Sequence, residues 1–227
     1  MRILAIDTAL GQCAAAILDV ASETTIAAEA IAMERGHAEA LLPLLDRVMA
    51  RVDGGFHSLD RVAVTIGPGS FTGLRIGISA ARAVALAIGI PAVGVTTLSA
   101  LMAPLMEDGP KRLTVAAIDA RGGRVFVQAI GPSGRLIIQP CVMTIRDVVR
   151  NLGSGSVALV GPGATMIAAE ARAVGIDAVL HDDLVLPDLA WVARIGAAAE
   201  PDEALAKPYY LAAPDARPQD GARLARL

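Results

Sequence analysis

Ala5-Ile6-Asp7-Thr8-Ala9-Leu10-Gly11, near the start of the chain, returns in its second half as Ala117-Ile118-Asp119-Ala120-Arg121-Gly122-Gly123. Each copy is an apolar strand ending on an aspartate, with a glycine four residues further on and then a second apolar run, residues 13–18 or 125–130. Short apolar runs joined by a glycine turn read as hairpins. A second pair of motifs follows in the same order. Ile66-Gly67-Pro68-Gly69 recurs as Val160-Gly161-Pro162-Gly163, each time between an apolar strand and a helical pattern.

A repeated order of units fixes an architecture before any single element does. Two α/β lobes, each opening on a strand-turn-strand and continuing with strand-helix units, make the two-lobed actin-like (ASKHA, RNase H-like) plan found in hexokinase and Hsp70 nucleotide-binding domains. A doubly wound sheet without lobe symmetry is the alternative. The expected boundaries are residues 1–105 for the first lobe, 106–213 for the second and 214–227 for a polar, mobile tail.

The first copy carries an extra amphipathic helix, expected over residues 37–52, with Ala38, Leu41, Leu42, Leu45, Val48, Met49 and Val52 on one face and Leu44 widening it. The helix expected over residues 71–88 carries Gly73, Gly77, Ala81 and Ala85 at four-residue intervals, a smooth flank. The bare turn before it, Gly67-Pro68-Gly69-Ser70, suits one of two neighbours. A phosphate would use free backbone N–H groups at a helix N-terminus, yet no Lys-Ser/Thr pair closes the loop. A helix, the chain's own or a partner's, needs only the smooth flank.

Composition narrows the functional classes. Hydrophobic residues make up 54% and charged residues 19%, with a formal net charge of −3, so the chain has a large core and lacks the basic footprint of direct nucleic-acid binding. Cys13 and Cys141 have no metal-ligand spacing, and the chain opens on a strand pattern where a secretory signal would be basic and then apolar. A cytoplasmic location with reduced thiols is expected. Residues 83–106 carry no charge, but Gly89 and Pro91 break the run into helix, strand and helix, so no membrane span is expected.

In an actin-like plan Asp7 and Asp119 would face the central cleft and are the natural catalytic suspects, with Gly69 beside them as part of a vestigial cleft. The competing reading is an aspartate at a strand end that accepts turn N–H groups; Leu10 and Arg121 put bulk where a phosphate grip needs small residues. His37, His57 and His181 have no partner at metal spacing, and Ser70 and Thr72 have no base nearby in sequence. Tyr209 and Tyr210, after Pro208, are expected to pin the C-terminal segment to the body.

Together Asp7-Thr8, Glu39-Ala40-Leu41-Leu42-Pro43, the block from Gly67 to Gly77, Gly94-Val95-Thr96-Thr97-Leu98 and Ile118-Asp119-Ala120-Arg121 resemble the TsaB family. These are the dimerisation subunits of the bacterial tRNA threonylcarbamoyladenosine machinery. The resemblance implies a non-catalytic scaffold that binds a TsaD-like catalytic subunit and a TsaE-like ATPase. ATP and metal then belong to those partners, no cofactor belongs to the isolated chain, and tRNA is met only through the complex. At the place where the catalytic paralogue carries metal-binding histidines this chain reads Thr96-Thr97-Leu98-Ser99. The family pairs through two N-lobe helices, which assigns the interface to His37, Leu41, Leu44, Leu45 and Val48 on one and Phe71, Gly73, Leu74, Gly77 and Ala81 on the other. A homodimer through the same helices is the alternative in the partner's absence. Ala212 stands where the family usually has a basic residue. The rival class is an enzyme, an actin-fold phosphotransferase or a metal-dependent glycoprotease-like protein.

Overall fold

In the computed structural model, which describes residues 1–107 and 111–212, the duplication seen in sequence is a duplication of sheet topology. The first sheet contains β1 (Arg2–Asp7), β2 (Gln12–Asp19), β3 (Thr24–Ala32), β4 (Arg61–Gly67) and β5 (Ala92–Thr96), in the order β3-β2-β1-β4-β5. The second contains β6 (Leu113–Asp119), β7 (Arg124–Ile130), β8 (Leu136–Thr144), β9 (Val157–Val160) and β10 (Ala178–Leu180), in the order β8-β7-β6-β9-β10. Strand senses match as well. In each sheet the opening hairpin and the next strand are antiparallel, and the two later strands join in parallel.

Helices cover both faces of the first sheet. Leu4, Ile6, Val62 and Val64 pack under α1 (His37–Met49) and α2 (Phe71–Ile88), while Ile3, Ala5, Ala63 and Val93 pack under α6 (Leu189–Ala198). Burial on both faces is why these strands read as unbroken apolar runs. In the second lobe α4 (Ile145–Asn151) and α5 (Ala164–Ala173) cover the outer face, and α3 (Thr97–Met102) packs on the inner face against Ala116 and Ile118. The helix that ends each repeat thus crosses to the other repeat's sheet, and α3 and α6 touch between the lobes.

This crossing corrects the far end of the expected second lobe, residues 106–213. Residues 187–212 do not belong to the second lobe: α6 lies on β1, β2 and β4, Leu205 bridges to Val93, and the Tyr209 N–H donates to the Ile66 carbonyl at 2.8 Å. The second sheet is in effect an insertion between α3 and α6. The expected tail, residues 214–227, lies outside the described residues. The uncharged run 83–106 resolves into the end of α2, β5, α3 and a short 3-10 turn. Among the described helices α2 alone is long and apolar enough to cross a membrane, and its buried residues lie on the sheet.

Caps explain the element limits. Ser70 accepts the Gly73 N–H at 3.2 Å to start α2 and Gly89, at φ +74°, ends it. The second copy has Ala164 in place of Ser70 and no side-chain cap, and its helix spans 10 residues where α2 spans 18. Arg61 of β4 reaches the far end of α6, donating from Nη1 to the carbonyls of Gly196 at 2.7 Å, Ala197 at 3.1 Å and Ala199 at 2.7 Å.

Candidate functional site

The first aspartate is built into the core. Asp7, at the end of β1, is fully buried and accepts three hydrogen bonds: from the Thr65 hydroxyl at 2.6 Å and the Ala9 N–H at 3.0 Å on Oδ1, and from the Gln12 amide at 2.7 Å on Oδ2. The same Gln12 amide nitrogen lies 3.2 Å from the Pro187 carbonyl, so one side chain joins the turn to the segment entering α6. Burial pushes the Asp7 carboxyl above its usual range, against the opposing pull of those donors and of nearby His37. His37 is itself buried, its Nε2 at 3.2 Å from the Gln12 carbonyl. Of the two readings of Asp7, the geometry is that of the turn-bonding aspartate.

The Gly-Pro-Gly turn presses on that first hairpin. The Ser70 N–H donates to the Ala9 carbonyl at 2.7 Å, and a Cβ on Gly69 would collide with that carbonyl. In the second lobe the corresponding turn meets the strand and not the hairpin turn, with the Gly163 N–H donating to the carbonyl of Ala117, two residues before Asp119, at 2.9 Å. Glycine is therefore present for backbone-on-backbone packing within each lobe. Further along α2 the hydroxyl of Thr8 donates to the Gly73 carbonyl at 2.7 Å, and a Cβ on Gly77 would strike Thr8 Oγ1.

That packing corrects the assignment of the two helices' faces. Gly73, Gly77, Ala81 and Leu74 of α2, and His37, Leu41, Leu44, Leu45 and Val48 of α1, are all buried against the chain's own first sheet. The smooth stripe exists for β1 and β4. Of the residues first assigned to a partner interface only Phe71, 38% exposed, reaches the surface. The exposed apolar residues are Leu42 and Pro43 on α1 and Ala83 and Leu86 on α2, with Leu42 63% and Leu86 85% exposed; Leu42 was expected on the apolar face of α1 and lies outside its buried stripe. A strict helical wheel would have shown Leu86 off the stripe, a signal present in sequence.

Between the lobes is a cavity of about 790 Å³. Gly69 and Asp119 line it; Asp7 does not. Asp119 is exposed and accepts the Arg121 N–H at 2.7 Å within its own turn. Sequence reasoning missed the rest of the wall, notably Arg35, Arg124, Phe126 and Tyr210. The C-terminal segment, expected to be pinned to the body, reaches the cavity, where Tyr210 stacks on Phe71 with centroids 5.3 Å apart and planes at 28°. Arg75 completes the group, its guanidinium 3.7 Å from the Phe71 centroid and its Nε donating to the Tyr210 hydroxyl at 3.1 Å.

With this geometry in place the chain can be compared with known proteins. The family model described as "TsaD: tRNA N6-adenosine threonylcarbamoyltransferase" matches residues 26–179. The tRNA threonylcarbamoyladenosine biosynthesis protein TsaB of Escherichia coli (strain K12) is 36% identical over 126 residues, covering 56% of this chain and 53% of that protein. The chain spans about half the length of the curated relatives it matches. Among solved structures, YeaZ from Pseudomonas aeruginosa superimposes with a TM-score of 0.75 at 25% identity, over 92% of this chain and 99% of YeaZ. The ethanolamine utilization protein EutJ from Carboxydothermus hydrogenoformans shares the fold alone, with a TM-score of 0.50 at 14% identity over 85% of this chain and 89% of EutJ. A family match across more than half the sequence, on a sheet order written twice, means that the chain belongs to the tRNA N6-adenosine threonylcarbamoyltransferase (TsaD) family.

Proposed function

We propose that this chain is a non-catalytic subunit required for threonylcarbamoyl transfer to the anticodon-loop adenosine of tRNA. It binds and activates a TsaD-like catalytic subunit, with a TsaE-like ATPase as the third component, and meets tRNA only in that complex. ATP and metal act on the partner subunits. The observation that carries the reading is that α1 and α2, which pack side by side, each expose a large apolar side chain, Leu42 at 63% and Leu86 at 85%. Large apolar side chains exposed on a packed helix pair are the kind of feature that a second subunit covers. On this reading docking uses Leu42 and Leu86, and not the buried residues that the sequence suggested.

The enzyme reading draws no support from the first turn. Asp7 has both carboxylate oxygens engaged inside the fold, and the Ala9 carbonyl is taken by the Ser70 N–H. A phosphotransferase or a glycoprotease-like protein would need such groups turned to the cleft. The expected test outcome is that Leu42→Arg with Leu86→Arg leaves the urea midpoint unchanged while weakening association with the TsaD-like subunit by at least about tenfold. Reconstituted tRNA modification falls in parallel. Unchanged copurification, or modification of tRNA by this chain alone, overturns the proposal; a homodimer that survives the double substitution places self-association on another surface.

A further inference from the structure

The chain passes between its lobes twice, from α3 to β6 and from β10 to α6. Two lobes joined only by such crossings turn against each other unless further contacts hold them. The segment that follows α6 supplies contacts of this kind. The Gly94 N–H donates to the Ala204 carbonyl at 2.8 Å, Leu205 bridges antiparallel to Val93 on β5, the last strand of its sheet, and the Tyr209 N–H donates to the Ile66 carbonyl at 2.8 Å. Glycine clears the path at two points: a Cβ on Gly94 would stand 2.7 Å from the Leu205 carbonyl oxygen, and one on Gly67 would stand 2.9 Å from that of Tyr209. Both strands thus carry glycine where the segment's backbone lies on them.

From there the segment crosses to the other lobe. Tyr210 is still held by the first, stacked on Phe71 with its hydroxyl accepting from Arg75 Nε. One residue later Leu211 packs on the inner face of the second sheet, against the cluster that contains Leu98, Ala116 and Ile118. Leu10, in the first hairpin turn, packs against the same cluster and against the first lobe's core as well. Two leucines carried by the first lobe therefore meet one apolar patch of the second. The two ends of the segment differ in strength: main-chain bonds, a strand bridge and a stacked ring hold it to the first lobe, and one half-buried leucine holds it to the second. The weaker end is the one that lets go first.

We infer that residues 204–211 are a strap that fixes the angle between the lobes, anchored on the first lobe and latched on the second by Leu211. While the latch holds, the lobes neither open nor close about their two crossings. The inference concerns motion within one chain and does not rest on subunit docking, which uses Leu42 and Leu86.

Pulsed dipolar EPR on the full chain tests it. Spin labels go on Ser79→Cys of α2 and Ala173→Cys of α5, both exposed, in a Cys141→Ser background, since Cys13 is buried. Dilution with unlabelled chain removes distances between copies. The otherwise unaltered chain is expected to give one narrow distance distribution. Loss of one half-buried leucine contact shifts the equilibrium by about tenfold, enough to bring an open state from about 1% to about 10%, so Leu211→Asp adds a second distance population. A chain ended at residue 203, which lacks the strap, shows that population at least as strongly, and Leu211→Met, which keeps the latch, does not show it. Unfolding midpoints are measured alongside, so that only folded variants are compared. A distribution unchanged in both Leu211→Asp and the shortened chain overturns the inference, as does an unaltered chain already as broad as the shortened one; a change in the shortened chain alone overturns the assignment of Leu211 as the latch.

Discussion

Removing the Asp7 carboxylate would leave the Thr65 hydroxyl, the Ala9 N–H and the Gln12 amide without their acceptor inside the core. Buried donors left unpaired cost about 1–3 kcal/mol each, so Asp7→Ala is expected to lose about 3 kcal/mol or more in urea unfolding at neutral pH. Acidity changes the comparison in a defined direction. Because burial raises the native pKa above 3.8, the folded chain binds this proton where the unfolded chain has released it. Stability from this group therefore falls as pH rises from 3.8 through the raised native value, and is recovered on acidification within that window. Wild type minus Asp7→Ala should widen at mildly acidic pH; a gap that narrows would show that the donors, and not burial, set the pKa. Sequence reasoning brought both readings of Asp7 to the page and could not choose. The choice depends on Thr65, far along the chain, whose hydroxyl only the parallel pairing of β1 with β4 brings within reach.

Periodicity told which residues of α2 share a face, and left open what that face meets. Residues 71–88 were expected as a helix and form one, with the small residues on one side, because Ser70 and Gly89 cap a strongly periodic run. The covering surface was misjudged because smoothness is equally suited to a partner helix and to the chain's own strand. Gly77→Ala decides the point experimentally. An added methyl would meet Thr8 Oγ1 and disturb its bond to the Gly73 carbonyl, so the substitution is expected to destabilise the monomer by about 2 kcal/mol in urea unfolding. Leu86→Ser, on the exposed side, should stay within about 0.5 kcal/mol. β3, β8 and α6 were not legible at all. β3 is the exposed edge of its sheet, so its alternation is weak, and its Ala28 carbonyl is covered by Arg51 Nη1 at 3.3 Å while Glu29 binds Arg47 and Arg51. Such an edge is blocked by charge supplied from α1, a device that pattern reading along one strand does not see.

At the scale of the molecule the duplication was readable because it is carried by local motifs, and the lobe boundary was not, because α6 finds its place through contacts far apart in sequence. Val192 and Ala193 close a core made by Ile3, Ala5, Ala63 and Val93, and a Cβ on Gly196 would collide with Ala63. A chain ended at residue 186 should therefore keep the second sheet's core and lose the first. Amide exchange is the measurement: β1 and β4 are expected to exchange within the dead time in the shortened chain while β6 and β9 stay protected. Equal protection in both sheets would count against the assignment of α6 to the first lobe. The same crossing has a consequence for biosynthesis. As the nascent polypeptide leaves the ribosome, the strands made first emerge with one side bare, and they stay so until α6, encoded after an entire inserted sheet, has cleared the exit tunnel. The first sheet thus cannot mature until residues 189–198 have been made, and any chaperone that shields this chain has to cover the α6 side of β1 and β4 until then.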